Sequence, residues 1–258
     1  MGAIKSAMGD AILTSVWVFS LSSQRIISSE ISSFLGFKPF TLPSLFLSTI
    51  INSIIVFTIT SIGRLLGGAS FNPSSTVSSY FLGLRPDSSL SSLAIRFPAQ
   101  ALGGALGAKG LLSVVPPQYK ILLKGPYLKV DLHTGAFAEG ALVFALNLAI
   151  LIIVMKGPKN AFLKVYMISL TTLTLAICGS GYTGPSMNPA NAFGSVYVTT
   201  RDDEEAEESL RLETPQFFSC IDVHANINVK AAKLYTFTNT THVIICKVKF
   251  YGKNGDNH

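Results

Sequence analysis

Two short stretches of this chain repeat each other. Residues 67–74 read Gly-Gly-Ala-Ser-Phe-Asn-Pro-Ser, and residues 182–190 read Tyr-Thr-Gly-Pro-Ser-Met-Asn-Pro-Ala. Each stretch follows a long apolar run, turns at glycine, and reaches Asn-Pro and a small residue before a modestly apolar segment. One Asn-Pro pair is a common turn starter. Two pairs in matching contexts indicate an internal duplication, which is typical of channels and transporters built from inverted repeats.

Each Asn-Pro pair predicts the start of a short helix. Asparagine is favoured at the cap and proline at the first helical position, so Asn72 and Asn188 are predicted caps, and Pro73 and Pro189 predicted first residues. A ten-residue helix is about 15 Å long, roughly half the hydrocarbon thickness of a bilayer. Two such half-helices would meet at the midplane with their positive ends facing one narrow path. Water would be accepted there, and cations, including protons, would be repelled.

The rest of the sequence predicts five membrane-spanning helices. A span needs roughly 20 mostly apolar residues, and suitable runs lie at residues 8–28, 44–65, 91–114, 135–155 and 161–179. The third run is weaker and rich in glycine and alanine, which lets helix backbones approach closely in lipid. After residue 200 the longest apolar stretch is only Val243–Cys246. A sixth span is therefore predicted to be missing.

The composition favours a membrane protein and argues against other classes. Apolar residues make up 48% of the chain and charged residues only 13%. The lysines lie singly between apolar runs, as in loops that flank membrane spans, so no nucleic-acid partner is expected. The three cysteines are far apart and have no metal-ligand spacing. We find no catalytic triad order or phosphate loop, and we predict neither an enzyme nor a cofactor or metal.

A carboxylate lies early in one span of each half: Asp10 in the first span and Glu139 in the fourth. We interpret both as buried structural groups that accept hydrogen bonds from backbone N–H groups of the loops. Acidic residues inside a membrane are functional suspects by default, so a proton-relay role stays open as the alternative.

The order of these features resembles the aquaporin, or major intrinsic protein, superfamily. The resemblance is carried by Asp10, Asn72-Pro73-Ser74, Gln100, Glu139 and Asn188-Pro189-Ala190. Arg-Phe-Pro-Ala-Gln-Ala at residues 96–101, Val-Asp-Leu-His-Thr-Gly-Ala at 130–136 and Asn-Pro-Ala-Asn-Ala-Phe-Gly at 188–194 are similar to the plant small basic intrinsic proteins. The similarity covers residues 1–198 and implies an all-α membrane fold with an aquaporin-like inverted repeat.

This resemblance also implies a function and a set of site residues. It implies a water-permeable, proton-excluding pore, a homo- or hetero-tetramer in the membrane lipid, and residence in the endoplasmic reticulum. The pore motif would be Asn72, Pro73, Ser74, Asn188, Pro189 and Ala190. The outer selectivity filter would be Pro185, Asn191, Ile55 and Ala176. Most aquaporins have arginine at the position of Asn191, so this filter should lack a fixed positive charge.

The pattern of the family stops after Val198. Six acidic residues follow between positions 202 and 208, and such a segment cannot enter a bilayer. We therefore divide the chain into a transmembrane domain at 1–198 and an atypical polar tail at 199–258. A splice variant or gene-model artefact would explain the tail, with an appended module as the alternative. Besides a water channel, two other functions stay open: a non-conducting truncated subunit that pairs with full-length relatives, and a secondary transporter.

Overall fold

The described part of the chain is built from seven α-helices and one 3-10 helix. The computed structural model describes residues 2–81, 83, 89–123 and 128–199. The elements are α1 (Ala3–Phe34), α2 (Leu42–Leu65), α3 (Pro73–Phe81), α4 (Leu90–Val114), the 3-10 helix (Pro117–Leu123), α5 (Leu132–Lys156), α6 (Ala161–Gly179) and α7 (Pro189–Thr199). The five runs predicted as spans form α1, α2, α4, α5 and α6. The predicted tail and the predicted lack of a sixth span lie outside the described residues.

The long helices differ in how apolar they are. Within the described residues, α2, most of α5 (His133–Lys156) and α6 are long and apolar enough to cross a membrane. Helices α1 and α4 are also long, but α1 is rich in serine and α4 contains Arg96 and Gln100. These two less apolar helices bring the charged side chains of Asp10 and Arg96 into the interior.

Side-chain caps mark the starts of three helices. Ser89 Oγ accepts a hydrogen bond from the Ser92 N–H at 3.1 Å at the start of α4. Asp131 Oδ2 accepts from the Thr134 N–H at 2.9 Å at the start of α5. Hydrogen bonds from the backbone and the side chain of Thr134 lower the pKa of Asp131. Asn160 Oδ1 accepts from the Leu163 N–H at 3.0 Å at the start of α6. Each cap satisfies one of the N–H groups that a helix start leaves without an intrahelical partner.

The turn between α2 and α3 needs two glycines. Gly67 and Gly68 have φ angles of 75° and 83°, which side chains other than glycine rarely adopt. The Gly68 and Ala69 N–H groups both donate to the Gly63 carbonyl at 2.9 Å, which closes the end of α2. The chain therefore turns back sharply at this point and directs residues 69–72 into the interior, beside α1.

Helix α4 packs between α1 and α7 at very short range. A Cβ added at Gly103 or Gly107 would collide with the carbonyl oxygen of Ala11 or Ser15 in α1. A Cβ added at Gly104 would collide in the same way with the Ala190 carbonyl in α7. Glycine is required on both faces because the backbones themselves are in contact. This close approach brings the polar side chains of α4 to α1.

Two apolar clusters contact the duplicated segments, the first through Phe71 and the second through Met187. The first contains Leu13, Trp17, Val18, Ile59 and Ala108. The second contains Val143, Leu146 and Met187. The ring of Trp17 also contacts the ring of Phe71, with centroids 4.5 Å apart and the ring planes tilted by 31°. The residue before each asparagine of an Asn-Pro pair is thus held by apolar packing: Phe71 by Trp17, and Met187 by the second cluster.

Candidate functional site

Each Asn-Pro pair begins a short helix. Helix α3 starts at Pro73 and α7 starts at Pro189. The Oδ1 atom of the preceding asparagine accepts a hydrogen bond from the N–H two residues later: Asn72 from Ser74 at 2.9 Å, and Asn188 from Ala190 at 3.1 Å. The side-chain oxygen of each asparagine is therefore occupied by its own helix, and the amide NH₂ group is directed elsewhere.

The two asparagines reach across to each other's segments. Asn188 Nδ2 donates to the Phe71 carbonyl at 3.0 Å, and Asn72 Nδ2 lies 3.4 Å from the Met187 carbonyl. These residues are more than a hundred positions apart in sequence, so the reciprocal bonds bring the starts of α3 and α7 together. An asparagine NH₂ has two donors, and each cross-bond uses one of them. Within the described residues, the second donor of each amide makes no hydrogen bond.

A serine two residues before each asparagine supports the same arrangement. Ser186 Oγ donates to the Asn188 carbonyl at 2.9 Å and accepts from Asn191 Nδ2 at 3.2 Å. In the first half, Ser70 Oγ donates to the Asn72 carbonyl at 3.3 Å. Neither serine was among the site residues predicted from the sequence. The repeat of Ser-x-Asn-Pro in both stretches was the signal that could have identified them.

Asp10 lies at the centre of a charged network beside the first Asn-Pro pair. Its carboxylate is 0% exposed and accepts from Arg96 Nε at 2.6 Å and from Arg96 Nη2 at 2.9 Å. Gln100 Nε2 donates to the same carboxylate at 2.7 Å, and the Ser70 N–H donates to it at 2.8 Å. The predicted contact with a loop N–H is present. The motif at residues 96–101 did not indicate this role for Arg96.

Glu139 is bound by the loop before α7. Its Oε1 accepts from the Thr183 hydroxyl at 2.8 Å and from the Ser186 N–H at 3.4 Å, and its Oε2 accepts from the Met187 N–H at 3.4 Å. Met187 has a φ angle of 50°, which is uncommon for a side chain of this size. Strained backbone of this kind persists only where its surroundings hold it, and the buried Met187 side chain and Glu139 do so here.

The four predicted filter residues do not all share one apolar cluster. Asn191 is buried and bonded to Ser186, next to Pro185. Pro185 lies against Gly179 at the end of α6, about one turn from Ala176, which packs on the second cluster. Ile55 instead packs on the first cluster. Three of the four therefore lie around the loop between α6 and α7, and Ile55 belongs to the core of the other half.

The sequence profile of the family described as "Major intrinsic protein" matches residues 2–218. The chain belongs to the major intrinsic protein family. Members of this family are membrane transporters of the aquaporin type and not enzymes, and the predicted all-α membrane fold is confirmed. The protein is therefore an integral membrane channel protein.

Similar aquaporins identify the subfamily. The chain is 43% identical over 203 residues to Aquaporin SIP1-1 of Oryza sativa subsp. japonica. This match covers 78% of this chain and 82% of that relative. It is 44% identical over 200 residues to Aquaporin SIP1-1 of Zea mays, and this match covers 77% of this chain and 81% of that relative. Aquaporin SIP1-1 of Arabidopsis thaliana is 40% identical over 198 residues, again covering 77% and 81%. The predicted relation to the plant small basic intrinsic proteins is confirmed.

A solved structure gives independent support for the fold. The X-ray structure of the aquaglyceroporin from Plasmodium falciparum matches with a TM-score of 0.64 and 18% sequence identity. The match covers 91% of this chain and 96% of the aquaglyceroporin. At this low identity the similarity concerns the fold alone, and it says nothing of what this aquaporin-family chain transports.

A further polar contact joins the two halves away from the asparagines. Ser78 Oγ of α3 lies 3.3 Å from Asn147 Oδ1 of α5, and Asn147 Nδ2 donates to the Val143 carbonyl at 2.9 Å. This link could not be predicted from the sequence, because a lone asparagine in an apolar run gives no indication of its partner. The contact ties the far end of the first half-helix to the second half.

Proposed function

We propose that this chain is a passive water channel of the small basic intrinsic type that excludes protons and other ions. The observation that carries the proposal is the reciprocal hydrogen bonding of Asn72 and Asn188 at the starts of α3 and α7. It brings together the N-termini of two helices, each equivalent to roughly half a positive charge. A single path that passes this point would meet two amide donors and a positive potential.

Water suits such a path because it can accept a hydrogen bond from each asparagine in turn. Each amide has one donor fixed by a cross-bond and one remaining for a passing oxygen. Since the Oδ1 atoms cap their own helices, the asparagines would present donors and not acceptors. A cation would meet positive helix ends without an acceptor to replace its hydration shell, and would be repelled.

Pro185, Asn191, Ala176 and Ile55 would form a second, outer constriction in this proposal. Asn191 is buried and held by Ser186, and as a neutral amide it adds no fixed charge, unlike an arginine. The outer constriction would therefore be less polar than in aquaporins with arginine, and proton exclusion would depend mainly on the paired asparagines. Membership of the subfamily further supports a tetramer and residence in the endoplasmic reticulum as parts of this proposal.

The full chain reconstituted into liposomes tests the function. Water flux would be measured by stopped-flow light scattering and proton flux by an internal pH dye. In Asn188→Asp an anion faces two positive helix ends, so we expect proton flux relative to water flux to rise about tenfold, equivalent to about 1.4 kcal/mol of barrier. Asn160→Asp is the matched control, because it adds the same charge at a helix cap in a loop and should leave the ratio unchanged.

Two outcomes would contradict the proposal. An unchanged ratio in Asn188→Asp would remove the asparagines from the proton barrier. A wild-type chain that folds but carries no water would favour the alternative of a non-conducting subunit, and water flux that appears only on co-reconstitution with a full-length relative would then establish it.

A further inference from the structure

The buried carboxylate of Asp10 uses all its acceptor capacity on three partners. Oδ1 accepts from Arg96 Nη2 at 2.9 Å and from the Ser70 N–H at 2.8 Å. Oδ2 accepts from Arg96 Nε at 2.6 Å and from Gln100 Nε2 at 2.7 Å. An ionised carboxylate offers about four acceptor sites, and all four are filled. The carboxylate therefore has one orientation, set by the rigid fork of the guanidinium.

This network contacts the first Asn-Pro pair on both sides. On the N-terminal side, Asp10 and Gln100 contact the N–H and the carbonyl of Ser70, at 2.8 Å and 3.3 Å. On the C-terminal side, Gln100 Nε2 lies 3.1 Å from Thr76 Oγ1, and that hydroxyl donates to the Asn72 carbonyl at 3.0 Å. Asn72 is thus held between two points that both contact Gln100 of α4, and the first of them is also bonded to Asp10 of α1.

The second asparagine depends on the network as well. Asn188 Nδ2 donates to the carbonyl of Phe71, the residue between the clamped Ser70 and Asn72. Any displacement of Ser70 moves this carbonyl and so changes the orientation of the Asn188 amide. The burial of Arg96, which is 3% exposed, has no other described use: both of its contacts go to Asp10. A buried arginine in a membrane segment is costly and marks a functional role.

We propose that Arg96 is a positioning residue for the constriction: through Asp10, and with Gln100, it sets the position of Ser70 and thereby the orientation of both asparagine amides. Arg96 does not need to touch the transported molecule. Its effect on selectivity rests on the proposed function, whereas its effect on the position of the Ser70–Thr76 segment does not. The two effects can be measured separately.

The first measurement is hydrogen–deuterium exchange of the full chain in lipid nanodiscs, which requires no transport. In Arg96→Gln we expect exchange in residues 66–76 to rise at least about tenfold, because the acceptor of the Ser70 N–H loses its fixed orientation. Arg96→Lys keeps the charge but not the fork, and should give a smaller rise. Peptides of α5 and α6 should not change. Arg64→Gln, at an exposed arginine at the end of α2, is the matched control and should match wild type.

The second measurement is the ratio of proton to water flux in liposomes. A variant that only lowers the folded fraction reduces both fluxes together, whereas misplaced amides change their ratio. We expect the ratio to rise about threefold or more in Arg96→Gln and less in Arg96→Lys, equivalent to about 0.7 kcal/mol or more of lost barrier. If Arg96→Gln does not fold, Arg96→Lys carries both measurements.

Specific results would overturn the proposal. Unchanged exchange at residues 66–76 in the arginine variants would do so, as would a rise spread evenly over α1, α4 and α6, which indicates general destabilisation. If the exchange rises locally but wild type carries no water, the proposed function fails and the positioning role stands. If wild type carries water, exchange rises locally and the flux ratio does not change, the role of Arg96 in selectivity is wrong.

Discussion

Asp10 and Glu139 occupy corresponding places in the two halves of the molecule, but their partners differ. Asp10 is neutralised by a bidentate arginine and also binds Gln100, both from α4. The described partners of Glu139 are a threonine hydroxyl and two backbone N–H groups, all from the loop before α7. Each half therefore anchors its loop to a carboxylate on another helix, α1 or α5, but only the first carboxylate has described partners on a third helix, α4.

The backbone before the two asparagines, and the lengths of the hydrogen bonds that hold it, also differ between the halves. Met187, before the second asparagine, has a positive φ angle, whereas its counterpart Phe71 is not among the non-glycine residues with positive φ in the described chain. The two contacts of Glu139 with backbone N–H groups are long, at 3.4 Å, while the one from Ser70 to Asp10 is 2.8 Å. One sequence repeat thus supports two anchors of unequal strength, and we expect the charged anchor to contribute more to stability.

The largest expected effect comes from neutralising the two carboxylates. Asp10→Asn leaves Arg96 as an uncompensated buried charge, which should lower the free energy of unfolding by about 3–5 kcal/mol. Glu139→Gln keeps one acceptor oxygen and leaves no described opposite charge unpaired, so we expect a loss of about 1–2 kcal/mol. Unfolding in mixed micelles with increasing denaturing detergent would measure both. Equal losses, or a larger loss for Glu139→Gln, would show that the two anchors do not differ as described.

A smaller loss in the free energy of unfolding should follow when α4 is moved away from α1. Gly103→Ala puts a methyl group against the Ala11 carbonyl, next to Asp10. We expect a loss of about 2–3 kcal/mol, since backbone must shift to relieve the overlap. Gly110→Ala is the matched control on the same helix, where the nearest atom is the Phe19 ring at 4.0 Å.

The control should be neutral or stabilise by about 0.5–1 kcal/mol, because alanine favours helix over glycine. The same micelle assay applies. If both glycine variants have the same free energy of unfolding, the close contact of α4 with α1 is not what places Arg96 next to Asp10.

The smallest effect concerns the two serines. Ser186 Oγ makes two hydrogen bonds of 2.9 and 3.2 Å, so Ser186→Ala should cost about 1–2 kcal/mol. Ser70 Oγ makes longer contacts of 3.3 and 3.5 Å, so Ser70→Ala should cost less than about 1 kcal/mol. This order is the reverse of that expected for the carboxylates. A larger loss in Ser70→Ala would mean that the first half relies on its own loop as well as on α4.

Some features of the site could be predicted from local sequence. The starts of α3 and α7 follow from Asn-Pro, since a cap and a first helical residue depend only on neighbours along the chain. The five long helices follow from the lengths of the apolar runs. The family and subfamily also follow from short motifs, among them residues 188–194, which depend on residue order and not on contacts.

Other features could not be predicted because their partners are distant in sequence. Arg96 begins the motif at residues 96–101, but nothing near it in sequence indicates that it binds Asp10, 86 residues earlier. The packing of Ile55 on the first apolar cluster likewise depends on which face of α2 meets α1. A buried arginine without a known partner gives a functional suspicion but no role.

The sequence determined where the helices begin, which asparagines cap them, and that the two halves repeat, because these properties arise from neighbours a few residues apart. The tertiary structure decided which donors those asparagines and carboxylates meet. Asn72 and Asn188 cross-bond, and Asp10 binds Arg96 while Glu139 binds the loop before α7. The physical reason is close backbone packing: Gly103 and Gly107 let α4 approach α1, and Gly104 lets it approach α7. That distance is set by packing over the whole interface, and no local pattern specifies it.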